Sequence, residues 1–227
     1  MFLNKFEQNS RKRLLEIIRI LQIATQNMDP PAITQIVSEY GKDPYLILIS
    51  CLLSLRAKDS ASLPVSRLLF NSALTPYEMI NISQRELEKI LYSIGFYRNK
   101  ARQVLSVSHE LIDRFEGKVP ATEQKLLSIK GIGPKTANIV LSEAFGIPAI
   151  AVDIHVHRIA NRLGLVNTKS PEQTEKELKK IVPHKYWSQI NPLLVMWGQN
   201  ICEPISPWCS KCAISKLCPR INVKRSR

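Results

Sequence analysis

The sequence predicts a mostly α protein. Three observations carry this: apolar residues recur at helical spacing along nearly the whole chain, no stretch alternates in strand fashion, and only 8 glycines occur in 227 residues. A first helix is expected over 14–24, where apolar residues sit at 14, 15, 17, 18, 20, 21, 23 and 24 among charges. Pro30-Pro31 breaks the chain, and a second helix follows from Ala32 to Tyr40, ending at Gly41. Asp43-Pro44 starts a third, from Tyr45 to about Ala57. Its faces are nearly all apolar, which places it centrally. Further helical patterns cover 60–70, 76–81, 84–92, 98–115 and 122–129, with Thr122 expected to cap the last of these. The pattern from Lys135 to Phe145 stops at Gly146, with Pro148 beyond. Another helix follows Asp153, and two more lie near 171–181 and 183–198. The tail Lys224-Arg225-Ser226-Arg227 is expected to be loose. No internal repeat and no low-complexity linker appear.

The apolar share is 44%, or about 100 side chains, enough for one large core or two small ones. That excludes disorder for most of the chain. The longest nearly pure apolar run, Tyr45 to Leu55, is 11 residues, well short of the roughly 20 a membrane span needs. Glu16 and Arg19 interrupt the N-terminal apolar stretch, so no signal peptide is expected. Lys and Arg outnumber Asp and Glu by 32 to 19, a net charge of +13. Such a balance points to a polyanionic partner, most often nucleic acid. A basic protein without one is the plain alternative.

Five cysteines occur, and Cys202, Cys209, Cys212 and Cys218 form the spacing C-x6-C-x2-C-x5-C. Without a secretion signal this reads as a metal or cluster site rather than a disulfide framework. Zinc sites usually pair two short knuckles, and only Cys209 and Cys212 make one. A compact loop with four thiolates suits a four-iron cluster at least as well, and zinc stays open on spacing alone. Cys51 lies in an apolar run and reads as a buried small hydrophobe.

Two short helices are joined by Lys130-Gly131-Ile132-Gly133-Pro134. Glycines two apart allow a tight turn with positive φ and a close approach by another backbone. The turn ends at a helix N-terminus, whose amides and dipole attract an anion. The spacing fits neither a P-loop nor a dinucleotide-binding turn, where Thr136 stands in place of a glycine. A phosphate-gripping helix–hairpin–helix remains, beside the plain reading of an ordinary αα turn. Lys135 lies in the first turn of the second helix, where the dipole disfavours a cation and eases loss of its proton. A neutral amine there is a candidate nucleophile for a sugar carbon; a solvated lysine touching phosphate is the alternative. Asp153, 18 residues on, reads as an N-cap of the next helix. That helix would place His155, Arg158 and Arg162 on one basic face suited to a phosphate backbone, with Val156, Ile159, Ala160 and Leu163 inward.

The stretches Leu127–Asn138 and Ala151–Arg158 and the four-cysteine loop, in that order, resemble endonuclease III. This is the iron–sulfur branch of the helix–hairpin–helix DNA glycosylases. The resemblance runs from about residue 30 to 220. It implies an all-α fold of two domains with a DNA-binding groove between them: a six-helix domain over 37–147, and a cluster domain from 1–36 plus 148–220, followed by a basic tail over 221–227. It implies a 4Fe–4S cluster on Cys202, Cys209, Cys212 and Cys218, mainly structural. It also implies a base-excision repair enzyme that flips the damaged nucleotide out of the stack. Lys135 would attack C1′, and Asp153 would activate the lysine or stabilise positive charge on the sugar. The imine then permits β-elimination and a nick 3′ to the lesion. Oxidised pyrimidines are the implied lesions.

The hairpin and the basic helix face make Gly131, Gly133, His155 and Arg158 the expected DNA contacts, and the resemblance adds two wedge positions at Arg56 and Phe96. Arg56 replaces the glutamine common at the first, and a core aromatic is the plain reading of Phe96. Lys130 replaces the usual proline, and Ile154 the usual threonine. The segment Glu203–Trp208 lacks the usual basic residues, leaving phosphate contact there to Lys211 and Lys216. A monomer acting on double-stranded DNA with damaged or abasic sites is expected, in a bacterial-type cytoplasmic setting without a membrane. Two alternatives stand behind it: a monofunctional mismatch glycosylase for adenine or thymine, and a non-catalytic redox-sensing DNA-binding protein.

Overall fold

The computed structural model describes the backbone of residues 5–227 and the side chains of 11–227. It divides into two compact units, one spanning Pro31–Ile147, the other joining the chain up to Pro30 with Pro148–Arg227. Among the described residues there is no strand, and no helix is long and apolar enough to cross a membrane.

The middle unit carries α2 (Ala32–Tyr40), α3 (Pro44–Ser54), α4 (Asp59–Phe70), α5 (Pro76–Met79), α6 (Gln84–Ile90), α7 (Tyr97–Phe115), α8 (Glu123–Leu127) and α9 (Pro134–Glu143). Helix α3 is its axis, packed by α2, α4, α7 and α9. Ile47, Leu48, Ile49, Leu52 and Leu53 have no exposed surface. Burying each such side chain contributes about 1.5–3 kcal/mol. Asp43 starts the helix, its Oδ1 accepting from the amides of Tyr45 at 2.8 Å and Leu46 at 3.0 Å. Thr75 with Glu78, and Ser83 with Glu86, form reciprocal capping boxes at α5 and α6. Thr122 sits at the N-cap of α8 but makes no cap hydrogen bond; the favourable charge there comes from Glu123 in the first turn. Helix α9 ends two residues before the expected Phe145, and Gly146 at φ +66° lets the Ile147 amide fold back to the Leu141 carbonyl at 2.9 Å.

The domain boundary expected at residue 36 falls inside α2. All of α2 belongs to the middle unit, because it packs on α3 and α4 with Ile36 only 1% exposed.

The terminal unit carries α1 (Lys5–Ala24), α10 (Ile154–Arg162), α11 (Pro171–Ile181) and α12 (Trp187–Asn200), with single 3-10 turns at His184–Tyr186 and Ser215–Leu217. Leu14, Ile17, Ile18 and Leu21 make the inward stripe of α1 at helical spacing. They join a core with Val156 and Ile159 of α10, Leu178 of α11 and Leu194 of α12.

Candidate active site and cysteine pocket

In the middle unit the hairpin is held from one face of α7. The Gln103 side-chain amide donates to the Gly131 carbonyl at 2.8 Å. Glu110 accepts from the Lys130 amide at 3.2 Å, and Arg114 donates to the carbonyl and hydroxyl of Ser128. Only one of the two glycines uses left-handed backbone: Gly131 has φ +91°, and a Cβ there would come within 2.6 Å of the Gln103 amide nitrogen. Gly133 is extended, at φ −98° and ψ 174°, and caps α9 without a side chain. A Cβ on it would meet nothing within 4 Å, so the space in front of the α9 amides is open. Pro134 occupies the first helical position, and Lys135 follows it, half-buried. Among the described residues Lys135 makes no ion pair. Cys51 on α3 is 2% exposed, and burial pushes its thiol up to about 12, so it is an inert core residue.

The structure brings the two wedge candidates together. Arg56, in the turn after α3, has φ 53°, and Phe96, just before α7, has φ 60°. Phe96 is 58% exposed, so the reading as a core aromatic does not hold. The Arg56 guanidinium carbon lies 5.8 Å from the centre of its ring.

In the terminal unit Asp153 is the N-cap of α10. Its Oδ1 accepts from the amides of His155 and Val156, each at 2.9 Å. The cap uses one carboxylate oxygen and fixes the direction of the other. Ile154, beside it, is 69% exposed. The basic face expected on α10 is largely turned inward. Arg158 donates to the carbonyls of Gly198 at 3.1 Å and Cys202 at 2.9 Å, and also meets His155 Nδ1. Arg162, 8% exposed, donates to the Glu203 and Pro204 carbonyls and to Cys202 Sγ at 3.3 Å. The cause is non-local. The cysteine loop leaves carbonyls that no helix satisfies, and two guanidinium forks fill that need.

Cys202, Cys209, Cys212 and Cys218 line one small pocket, partly open to solvent. Ile159, Leu163 and Ile214 form its apolar wall. Among the described residues no three metal-ligating side chains converge tightly enough for one ion. The four cysteines share the lining of this one pocket, and four thiols are a donor set suited to a group of several metal atoms. Hydrogen-bond donors point at the sulfurs: Arg162 Nη1 at Cys202, and the Arg220 amide at Cys218 at 3.4 Å. The Trp197 indole N–H is buried without a regular hydrogen-bond partner, yet it lies near enough to Cys212 to favour its thiolate. Burial is the larger influence and raises the thiol pKa of both Cys212 and Cys218. A thiolate-bound cluster fits this lining: four sulfurs, donors to stabilise their charge, and an apolar wall.

The tail is not loose at its end. Arg227 lays its guanidinium 3.9 Å from the centre of the Trp208 ring and pairs with Glu203 at 2.7 Å. Its backbone bonds Pro207 and Ser210, closing the loop between the first two cysteines. Lys211 stacks on the same ring at 4.6 Å.

The sequence matches the model of the HhH-GPD superfamily base excision DNA repair proteins over residues 49–184. It is 42% identical over 176 residues to endonuclease III of Thermotoga maritima, covering 78% of this chain and 83% of that one. The chain spans 81–94% of the bacterial endonuclease III relatives it matches, but 48–65% of the mammalian and plant ones. Among solved structures, a non-covalent endonuclease III–DNA complex superposes with a TM-score of 0.83 at 34% identity, over 92% of this chain and 95% of that one. A trapped endonuclease III–DNA covalent intermediate superposes with a TM-score of 0.75 at 36% identity, over 83% and 93%. A hairpin that opens onto a helix N-terminus, a four-cysteine pocket and these matches lead to one assignment: the chain belongs to the endonuclease III family of HhH-GPD DNA glycosylases.

Proposed function

We propose that this DNA glycosylase is bifunctional, removing oxidised pyrimidines and then nicking the strand by β-elimination. The observation that carries the proposal is Lys135: a half-buried amine that forms no ion pair among the described residues, in the first turn of a helix whose N-terminal side is open. A covalent intermediate trapped in a structural relative supports nucleophilic chemistry of this kind. The Lys135 amine forms a bond to C1′ as the C1′–N bond to the base breaks and the base takes the electron pair. Ring opening gives the imine. Loss of a C2′ proton then breaks the C3′–O bond, expelling the 3′ phosphate.

The free amides of α9 and the open space at Gly133 suit a DNA phosphate, with Gly131 making the turn. Arg56 and Phe96 fill the space of the flipped nucleotide. His155 contributes at the α10 N-terminus, whereas Arg158 braces the cysteine loop. Cys202, Cys209, Cys212 and Cys218 hold a 4Fe–4S cluster. Bound there, the cluster supplies a cross-link among the segments that carry its thiolates.

Asp153 caps α10 and also acts on the reacting sugar or lysine, and one variant separates the two roles. Asp153→Asn keeps an oxygen acceptor for His155 and Val156, so stability should change by less than about 1 kcal/mol. Excision of an oxidised pyrimidine from a duplex should fall about 10²–10⁴-fold with the charge removed. Unchanged excision in a stable Asn variant would reduce Asp153 to its cap. Wild-type protein that excises no oxidised pyrimidine, and nicks no abasic strand, would overturn the proposed function itself.

A further inference from the structure

Lys100, in the first turns of α7, is 4% exposed. Burial pulls its amine down to about 8. Its Nζ donates to the Leu53 carbonyl at 2.5 Å. That carbonyl is one of the last in α3, which lack intrahelical partners, and a cation is favoured at that end of a helix. The Lys100 backbone amide donates to the Phe96 carbonyl at 3.0 Å, in the opening turn of α7. One residue therefore ties the end of α3 to the start of α7.

These are the two places where the chain adopts its left-handed wedge conformations. Arg56 follows Leu53 by three residues, and Phe96 is the N-cap of α7. Left-handed backbone is disfavoured for arginine and is an outlier for a bulky aromatic. It persists only where the surroundings over-determine it. The turn around Arg56 has few other ties, chiefly the Ala57 amide to the Ser54 carbonyl at 3.1 Å and the Leu55 amide to the Leu52 carbonyl at 3.4 Å. The two segments are neighbours at Gly95, where a Cβ would make an ordinary contact, 3.9 Å from the Arg56 carbonyl oxygen.

We propose that Lys100 is the positioning residue of a two-pronged wedge: by joining α3 to α7 it holds Arg56 and Phe96 in left-handed conformations, side by side and exposed. This rests on the reading of Arg56 and Phe96 as insertion residues. It adds a buried residue that acts through both of them. The wedge is preorganised, so the order is present before DNA arrives.

The test compares affinity for a duplex containing a tetrahydrofuran abasic analogue with affinity for the intact duplex. Neither duplex can be cleaved at that site through an imine. Lys100→Met keeps length and burial but removes the donors. The preference for the abasic duplex should fall at least five-fold, with intact-duplex affinity within two-fold of wild type. In an Arg56→Ala/Phe96→Ala background, Lys100→Met should change the preference by less than 1.5-fold, because its effect passes through those residues. An unchanged preference in folded Lys100→Met, equal weakening on both duplexes, or independent multiplication of the effects would overturn the proposal. If Lys100→Met does not fold, Lys100→Gln stays polar but falls short of the Leu53 carbonyl, and the same ratio applies. Wild type that prefers the abasic duplex yet forms no borohydride-trapped imine on abasic DNA fails the lyase reading and leaves this test standing. Wild type with no preference fails the wedge reading, and this proposal with it.

Discussion

Lys135→Ala should bind abasic duplex and fail to nick it, with the strand-cleavage rate falling by at least about a thousand-fold, as expected on removing a nucleophile. Stability should hold or rise, by up to about 1 kcal/mol, since a cation in the first turn of α9 opposes the helix dipole. Gel-resolved cleavage, with a thermal melt on the same sample, reads both. A stable variant that nicks at the wild-type rate would remove Lys135 from the chemistry. The plain alternative, a lysine that only touches phosphate, predicts a different pattern in the variant: weaker binding, a shallower dependence on salt, and a cleavage step that survives at saturating protein.

Cys202→Ala should have the second largest effect, and it should appear in cofactor content before activity. Cys202 sits where the Arg158 and Arg162 forks meet the cysteine loop. Its removal takes one of four thiolates from the pocket. Iron and acid-labile sulfide per chain should fall to near zero. A loop that depends on its bound group loses folding free energy with it, by several kcal/mol, a large share of a domain's total. Chemical denaturation of the terminal unit should shift to lower denaturant accordingly. A variant with full iron content and an unchanged midpoint would show that the pocket does not hold a four-thiolate group.

Much of the fold was legible because its signals are local. Asp43-Pro44 announced α3, and the apolar run behind it announced a central helix; both follow from capping and burial within a few residues. The capping boxes at Thr75 and Ser83 carry an equally local signature, Ser/Thr followed three residues later by Glu, and could have been read. Thr122 shows the limit of that reasoning: the right residue type at the right place, without the bond.

The long-range features were not legible. Residues 155, 158 and 162 share a helix face, and periodicity suggested solvent or DNA. Whether a guanidinium faces water depends on carbonyls about forty residues away in sequence. The anchoring of Arg227 is hidden from the sequence for the same reason, since its partners Trp208 and Glu203 lie in another loop. Lys100 gave no signal at all: among the charged residues of α7 nothing marks one amine for burial against α3. Of the site, the sequence revealed the residue types and their order. The bracing by Gln103, Glu110 and Arg114, and the indole aimed at Cys212, came only from the structure.

If Lys135 is the amine that bonds to the sugar, borohydride reduction of wild-type protein on abasic duplex should leave the adduct there. Peptide mass spectrometry should find one modified peptide, carrying the reduced sugar remnant on Lys135. An adduct on another amine, or none from protein that binds the duplex and carries its iron, would contradict it.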